Sequence, residues 1–215
     1  MSSGYFNAIR LLLRAHRRSS LLSHAHIVGR FLTCPFLRVI DLLPDRCRLL
    51  DIGAGHGTFA RLALAAGAAE AVALEPDLQK SLQSAGGDGL RLVTGFAGAV
   101  RGTFDVVSMI DVLYRIPHGE WDDLFALIYS HVSPGGIFLL KEIDPEAPLK
   151  AAWNKAQERL ADRLLHLTTI GNHHDYESRA ALQARLERAG FTSFEVHELG
   201  AGYPHAHIAY LARRS

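Results

Sequence analysis

The chain has 215 residues, 48% of them hydrophobic and 21% charged, enough to bury a full core, which excludes a disordered or fibrous protein. Lys and Arg number 23 against 22 Asp and Glu, for a net charge of +1, so the strong basic excess of a general nucleic-acid binder is missing and no nucleic-acid partner is expected. Cys34 and Cys47 are the only cysteines and do not form a CxxC pair, which excludes a disulfide framework and a cysteine-based zinc site and suits a reducing cytoplasm.

The charge is unevenly spread along the chain. Residues 1–40 carry Arg10, Arg14, Arg17, Arg18, Arg30 and Arg38 and no acid, a charge of +6, whereas the remainder holds 17 bases against 22 acids. These arginines interrupt the N-terminal leucines where a signal peptide needs an unbroken apolar core, and no apolar run approaches a membrane-spanning length; the expectation is a soluble, cytoplasmic protein. On a helix Arg10, Arg14, Arg17 and Arg18 share one face and Ile9, Leu12, Leu13 and His16 the opposite one, an amphipathic pattern with a cationic side. Two readings stand: the apolar stripe packs on the domain or over its pocket with the arginines solvated, or the helix makes peripheral contact with an anionic membrane or collects an acidic or lipid-like substrate.

From Arg46 onward short apolar runs alternate with helical stretches. Strands are expected over 48–52, 70–75, 90–94, 104–110 and, after the turn Ser133-Pro134-Gly135, 136–142; helices are expected over 58–66, 77–84 and 121–132. Continuous apolar strands separated by helices predict a parallel sheet covered on both faces, which binds ligands beyond the carboxyl ends of its strands. A long helix over 149–167 follows, then a polar loop over 171–176, then a helix with Ser178 as its N-cap ending at Gly190. Strands over 194–199 and 206–212, joined by a short connection, predict a closing antiparallel hairpin. The reading is an α/β, doubly wound, mostly parallel seven-stranded sheet, with an N-terminal helical cap over 1–45 and the ligand-binding domain over 46–215.

Asp51-Ile52-Gly53-Ala54-Gly55-His56-Gly57 falls where the first strand meets the first helix of that domain, where glycine lets a nucleoside approach the backbone. A dinucleotide fingerprint needs glycine at position 58, which is Thr58, and the Lys-Ser/Thr pair of a phosphate-cradling loop is absent; nicotinamide, flavin and nucleoside-triphosphate chemistry are thereby demoted. Glu75 ends the second strand 18 residues after Gly57, where a carboxylate can accept from both hydroxyls of a ribose. With Asp51 it makes a negative edge that favours a ligand carrying an ammonium or sulfonium group.

Leu50-Asp51-Ile52-Gly53-Ala54-Gly55-His56-Gly57 resembles the first motif of class I S-adenosylmethionine-dependent methyltransferases, and Leu74-Glu75-Pro76-Asp77 resembles their second. The stretch from Phe104 to Leu113, the turn Ser133-Pro134-Gly135-Gly136 and the final hairpin resemble later parts of the same family, so that the likeness spans about residues 46–213. Leu32-Thr33-Cys34-Pro35-Phe36 and Gly202-Tyr203-Pro204-His205 are similar to a group of small bacterial methyltransferases. The resemblance implies S-adenosyl-L-methionine as cofactor. Asp51, Gly53, Ala54, Gly55 and Gly57 would form its amino-acid end, Glu75 with Pro76 its ribose site, and Asp111 with Val112 the border of the sulfonium. Where the family often places an acid for the adenine amino group, this chain has Thr94-Gly95-Phe96-Ala97-Gly98, so Phe96 and Ala97 are expected to supply only a wall or a backbone group. Arg30 could pair with the cofactor carboxylate, though it could equally be an ordinary surface arginine.

A hydroxyl or phenol acceptor must lose a proton, and among the 12 histidines the leading candidates for the base are His118 and His174. Tyr114, Tyr176, Tyr203 and His205 are the expected substrate contacts. His205 and His207 share a strand face and could meet His173 or His174, but no acid or cysteine at ligand spacing supports a metal, and none is expected. Trp121 and Trp153 read as packing residues. The reading is a methyltransferase acting on a small, partly apolar acidic, phenolic or acyl-type acceptor, with O-methylation favoured. Its rivals are a non-catalytic S-adenosylmethionine-binding regulator and an RNA or protein methyltransferase using the basic extension. The cap could serve as a dimer surface as readily as a lid.

Overall fold

The computed structural model describes residues 2–15, 21–82, 89–144 and 177–215. The expected helix over 149–167 and the loop over 171–176, with Trp153, His173, His174 and Tyr176, lie outside the described residues, as do His16, Arg17 and Arg18. Three helices come first, α1 Ser2–Ala15, α2 Leu21–Thr33 and α3 Phe36–Ile40. An alternating region follows: β1 Arg48–Ile52, α4 Thr58–Ala65, β2 Glu70–Glu75, α5 Leu78–Leu82, β3 Leu90–Thr94, β4 Phe104–Ile110, α6 Trp121–His131 and β5 Val132–Ile143. The chain closes with α7 Arg179–Arg188, β6 Ser193–Glu198 and β7 His207–Arg213.

The seven strands form one sheet in the order β3-β2-β1-β4-β5-β7-β6. β1 to β5 are parallel, and β7 runs antiparallel between β5 and β6. The expected fold class is therefore the observed one. β1 to β4 have the expected bounds because each is an apolar run interrupted by turn residues on both sides. β5 differs: it begins at Val132, and Ser133-Pro134-Gly135 sits inside it as a bulge. Phe104 pairs with Val132 but Val106 pairs with Ile137, and Gly135 takes φ +76°, which glycine adopts at little cost. Ser178 caps α7 as expected, its Oγ accepting from Ala181 N at 3.3 Å.

Alternate residues of the strands feed two cores, one on each face. On one face Leu49, Ile110, Leu139 and Leu211 pack with Ala8, Leu12, Ile27, Phe31, Phe36 and Val39 of α1 to α3. On the other, Leu50, Val107, Phe138 and Tyr210 pack with Trp121, Phe125, Leu182 and Leu186 of α6 and α7. The apolar stripe of α1 is thus used by the sheet. It is narrower than the sequence pattern implied, centred on Ala8 and Leu12, so that Leu13, 100° further round, is exposed with Arg10 and Arg14. Among the described residues no helix is long and apolar enough to cross a membrane.

Polar contacts also anchor α2 and α3 to the carboxyl end of the sheet. Arg30 Nη2 donates to Ile110 O at 2.9 Å, Arg38 Nη1 donates to Leu199 O at 2.8 Å, and His207 Nε2 lies 2.8 Å from Thr33 O. A carbonyl only accepts, so the His207 proton resides on Nε2.

Candidate active site

The loop after β1 is shaped by glycines with positive φ: +70° at Gly53, +56° at Gly55 and +70° at Gly57, a conformation that costs other residues energy. Gly53 N and Ala54 N both donate to Leu74 O, at 2.8 and 3.0 Å, which binds the loop to the end of β2. Gly57 is the N-cap of α4. At Gly53 there is also no room, because a Cβ there would lie 2.5 Å from Val112 Cγ2. The two segments assigned to the amino-acid arm and the sulfonium of one ligand, the glycine loop and the end of β4, are therefore in contact.

Glu75 Oε2 accepts from Gly55 N at 2.8 Å and Oε1 from Asp77 N at 3.1 Å. The side chain is buried, with Lys80 Nζ 3.9 Å away. Each carboxylate oxygen has a second lone pair, so Glu75 can hold the loop and still accept from a ribose diol. Asp51 is also buried, and Ser108 Oγ donates to its Oδ1 at 2.8 Å. Burial pushes the Asp51 carboxyl up to about 7, against the Ser108 hydrogen bond and the nearby Arg30 charge.

Beyond β4, Asp111 takes φ +56°, one of the few non-glycine types that tolerate that region. Its N donates to Lys141 O at 2.9 Å, its carboxylate is hydrogen-bonded by Lys141 Nζ, and Arg30 Nη2 lies 3.8 Å away. Burial opposes ionisation of both Asp111 and Lys141, but the mutual attraction outweighs it: the carboxyl is held below its usual range and the ammonium above. On the other face Glu142 Oε1 accepts from Val112 N at 3.0 Å and Leu113 N at 2.8 Å. Burial and the Asp111 charge push Glu142 up to about 8, and its buried Oε2 has no hydrogen-bond partner among the described residues. Burial likewise raises the Cys34 thiol to about 12 and, with the Lys141 charge, lowers His207 to about 4.

These elements enclose a mostly apolar cleft of about 640 Å³ at the carboxyl ends of β1, β2 and β4, within the range of small-ligand sites. Arg30, Gly53, Gly55, Glu75, Pro76, Phe96, Ala97, Asp111 and Val112, all expected site residues, line it. Asp51 and Ala54 line a smaller adjoining cavity that shares Arg30 and Gly53 with the cleft. The fit to a nucleoside bearing an amino-acid arm is good: an open Gly55 cradle with nothing within 4 Å of a Cβ, spare acceptors on Glu75, and apolar walls beyond it. The expected negative edge is compensated, however, because Asp111 faces Lys141 and Arg30, Glu75 faces Lys80, and Asp51 is half-protonated near neutrality.

Other expected residues stand apart. His118 follows β4 as expected but is not among the residues lining the cleft; its ring packs edge-on against Trp121 with centroids 4.3 Å apart. Tyr114 is half-buried behind Arg115, whose Nε donates to its hydroxyl at 3.0 Å. Tyr203 and His205 gather around His207, at 5.7 and 5.9 Å between ring centroids, on the β6–β7 connection. Trp121 packs in the core and donates to Ile116 O at 2.8 Å, as a packing residue should. Among the described residues no cluster of His, Cys, Asp and Glu has metal-ligand geometry. Sequence reasoning missed Lys80, Arg115, Asp123, Lys141 and Glu142. A signal for the last two existed: a Lys-Glu pair ending an otherwise apolar parallel strand falls where such sheets bind ligands.

A family model described as a methyltransferase domain matches residues 21–196, and the chain belongs to this methyltransferase-domain family. Solved structures agree in fold. An S-adenosylmethionine-dependent methyltransferase from Archaeoglobus fulgidus is 14% identical with a TM-score of 0.68, over 90% of this chain and 98% of that one. An O-methyltransferase family protein from Burkholderia thailandensis is 17% identical with a TM-score of 0.66, over 89% of this chain and 59% of that one. Human N-acetylserotonin methyltransferase, solved in complex with S-adenosylmethionine, is 17% identical with a TM-score of 0.62, over 90% of this chain and 54% of that one. No curated protein sequence matches the chain.

Proposed function

We propose that this chain transfers a methyl group from S-adenosylmethionine to the oxygen of a small, partly apolar acceptor bearing a carboxylate, phenol or acyl group. The observation that carries the reading is the single cleft joining the glycine loop and Glu75 to Asp111 and Val112. When bound, the cofactor supplies a sulfonium-activated methyl group. Glu75 would hold the ribose, the Gly53–Gly55 backbone and Arg30 the amino-acid arm, and Phe96, Ala97 and Leu124 the base.

The protein's work is then alignment and exclusion of water, which can account for much of a rate enhancement. Asp111 and Val112 stand at the end of β4, with Glu142 fixing the backbone of Val112 and Leu113 from below. Arg115, on the cleft wall, is the cation placed to meet an anionic acceptor. A carboxylate or ionised phenol carries no proton to remove, so transfer to it needs positioning and no base.

Calorimetric titration with S-adenosylmethionine and S-adenosylhomocysteine tests the cofactor site, comparing wild type with Glu75→Ala and Asp51→Ala. Binding that weakens at least tenfold in Glu75→Ala supports the site; no binding by wild type overturns it. Methyl-labelled cofactor incubated with aromatic acids, phenols, fatty acids and amines then tests the acceptor class, and label found only in the amines would overturn O-methylation.

A further inference from the structure

Helix α1 gives one face to the core and presents a different one to solvent. Ala8 and Leu12 are buried inward, whereas Phe6 is 68% exposed and Leu13 42%. At about 100° per residue Phe6 and Leu13 fall within about 20° of each other, two turns or about 10 Å apart along the axis. Arg10 lies between them and Arg14 just beyond, so that all four share an arc of about 100° on the side away from Ala8 and Leu12. Arg10 and Arg14 are exposed as well. No acid occurs in residues 1–40, so nothing on α1 to α3 neutralises them, and the rest of the chain carries 17 bases against 22 acids. Arg30 and Arg38 are turned toward the sheet by their bonds to Ile110 O and Leu199 O, which leaves Arg10 and Arg14 as the outward part of that charge among the described residues.

We infer that this face of α1 seats on an anionic lipid surface, with Phe6 and Leu13 in the boundary between headgroups and acyl chains and Arg10 and Arg14 at the phosphates. A helix lying in a bilayer interface uses this combination: apolar side chains enter the boundary, while long cationic ones keep their guanidinium groups at the headgroups. A folded protein partner would have to supply a pocket shaped for Phe6 and acids at matching positions. A fluid anionic interface meets both needs without a matched shape, and the uneven charge turns this end of the molecule toward it. With two apolar anchors and two exposed arginines the contact is reversible and salt-sensitive. It is independent of the methyl-transfer reading.

Flotation of the full chain with lipid vesicles tests the inference. Wild type should rise with vesicles of equal parts phosphatidylcholine and phosphatidylglycerol, stay behind with phosphatidylcholine alone, and lose binding as salt is raised. Arg10→Gln with Arg14→Gln should weaken partitioning about 25-fold, about fivefold for each arginine near an anionic surface. Phe6→Ser with Leu13→Ser should weaken it about tenfold with both arginines in place, a loss that adsorption by charge alone does not produce. All four side chains are exposed, so both double variants should melt with wild type. Because Cys34 and Cys47 are buried, a polarity-sensitive dye attached through Phe6→Cys reports insertion directly, and its emission should shift to the blue on the anionic vesicles. No vesicle binding by wild type, or undiminished binding in either double variant, would overturn the lipid seat. Wild type retained by polyglutamate and not by the anionic vesicles would overturn it in favour of an acidic protein.

Discussion

Two residues of the glycine loop and the strand before it carry separable physical loads. Gly53 needs both its positive φ and the space that Val112 Cγ2 fills 2.5 Å from a would-be Cβ. Gly53→Ala should therefore cost about 1–3 kcal/mol in urea unfolding and displace Val112 into the cleft, weakening cofactor binding as well. Asp51 behaves differently, because its carboxyl is held at about 7 in the fold against an ordinary value of 3.8. Between those values the folded state holds a proton that the unfolded chain has released, so the contribution of Asp51 to stability falls as pH rises, by up to about 1.4 kcal/mol per unit. Below about pH 4 that contribution is fully present, and above about pH 7 it is lost. Asp51→Asn removes this titration while keeping an acceptor for Ser108. Urea unfolding at about pH 5 and pH 7 should show wild type losing about 2 kcal/mol more than the variant over that interval; equal losses would mean that Asp51 is ionised throughout.

Among the elements, the ends of β4 and β5 are joined by a buried ion pair and the N-terminal helices by apolar contact, and the two should respond differently to mutation. Lys141 is fully buried against Asp111, with Arg30 at 3.8 Å as the second cation. Lys141→Met leaves Asp111 with that weaker partner alone and should cost about 3 kcal/mol, most of it recovered when Asp111→Asn is added. A thermal-melt cycle over the four proteins measures the coupling. In α1, Leu12 is 1% exposed while Arg10 and Arg14 face solvent. Leu12→Ala should destabilise the whole domain by about 2–5 kcal/mol, whereas Arg10→Gln with Arg14→Gln should stay within about 0.5 kcal/mol. Were Leu12→Ala silent, α1 would be an independent cap and not part of the core.

Taken whole, the molecule is one sheet with two filled faces and a ligand cleft at one end, and occupancy of that cleft should register as global stability. S-adenosylhomocysteine at about 100 times its Kd should add about 2.7 kcal/mol. In a chain of this size that is a rise in melting temperature of about 5–10 °C. Glu75→Ala should abolish most of the shift at the same ligand concentration, and differential scanning calorimetry reads it directly.

The strands and the glycine loop were legible in the sequence because they depend on local chemistry: apolar runs of five to seven residues, the punctuation between them, and glycines that alone accept positive φ. That Glu75, Asp111 and Val112 stand at the ends of strands was legible for the same reason, since the carboxyl end of a parallel strand is a position along the chain, whereas a role for Asp111 and Val112 came from the family resemblance alone. The direction in which His118 points, the seating of α1 and the Lys141–Asp111 pair were not legible. The last two depend on which residue far along the chain comes to lie opposite, as do the contacts of Ala97 with His131 and of Thr33 with His207; the first depends on how the turn into α6 sets the Trp121 ring against His118. Local pattern decides which segments become strand, turn or helix; long-range packing decides which polar side chains find a partner in the core and which are left facing the cleft.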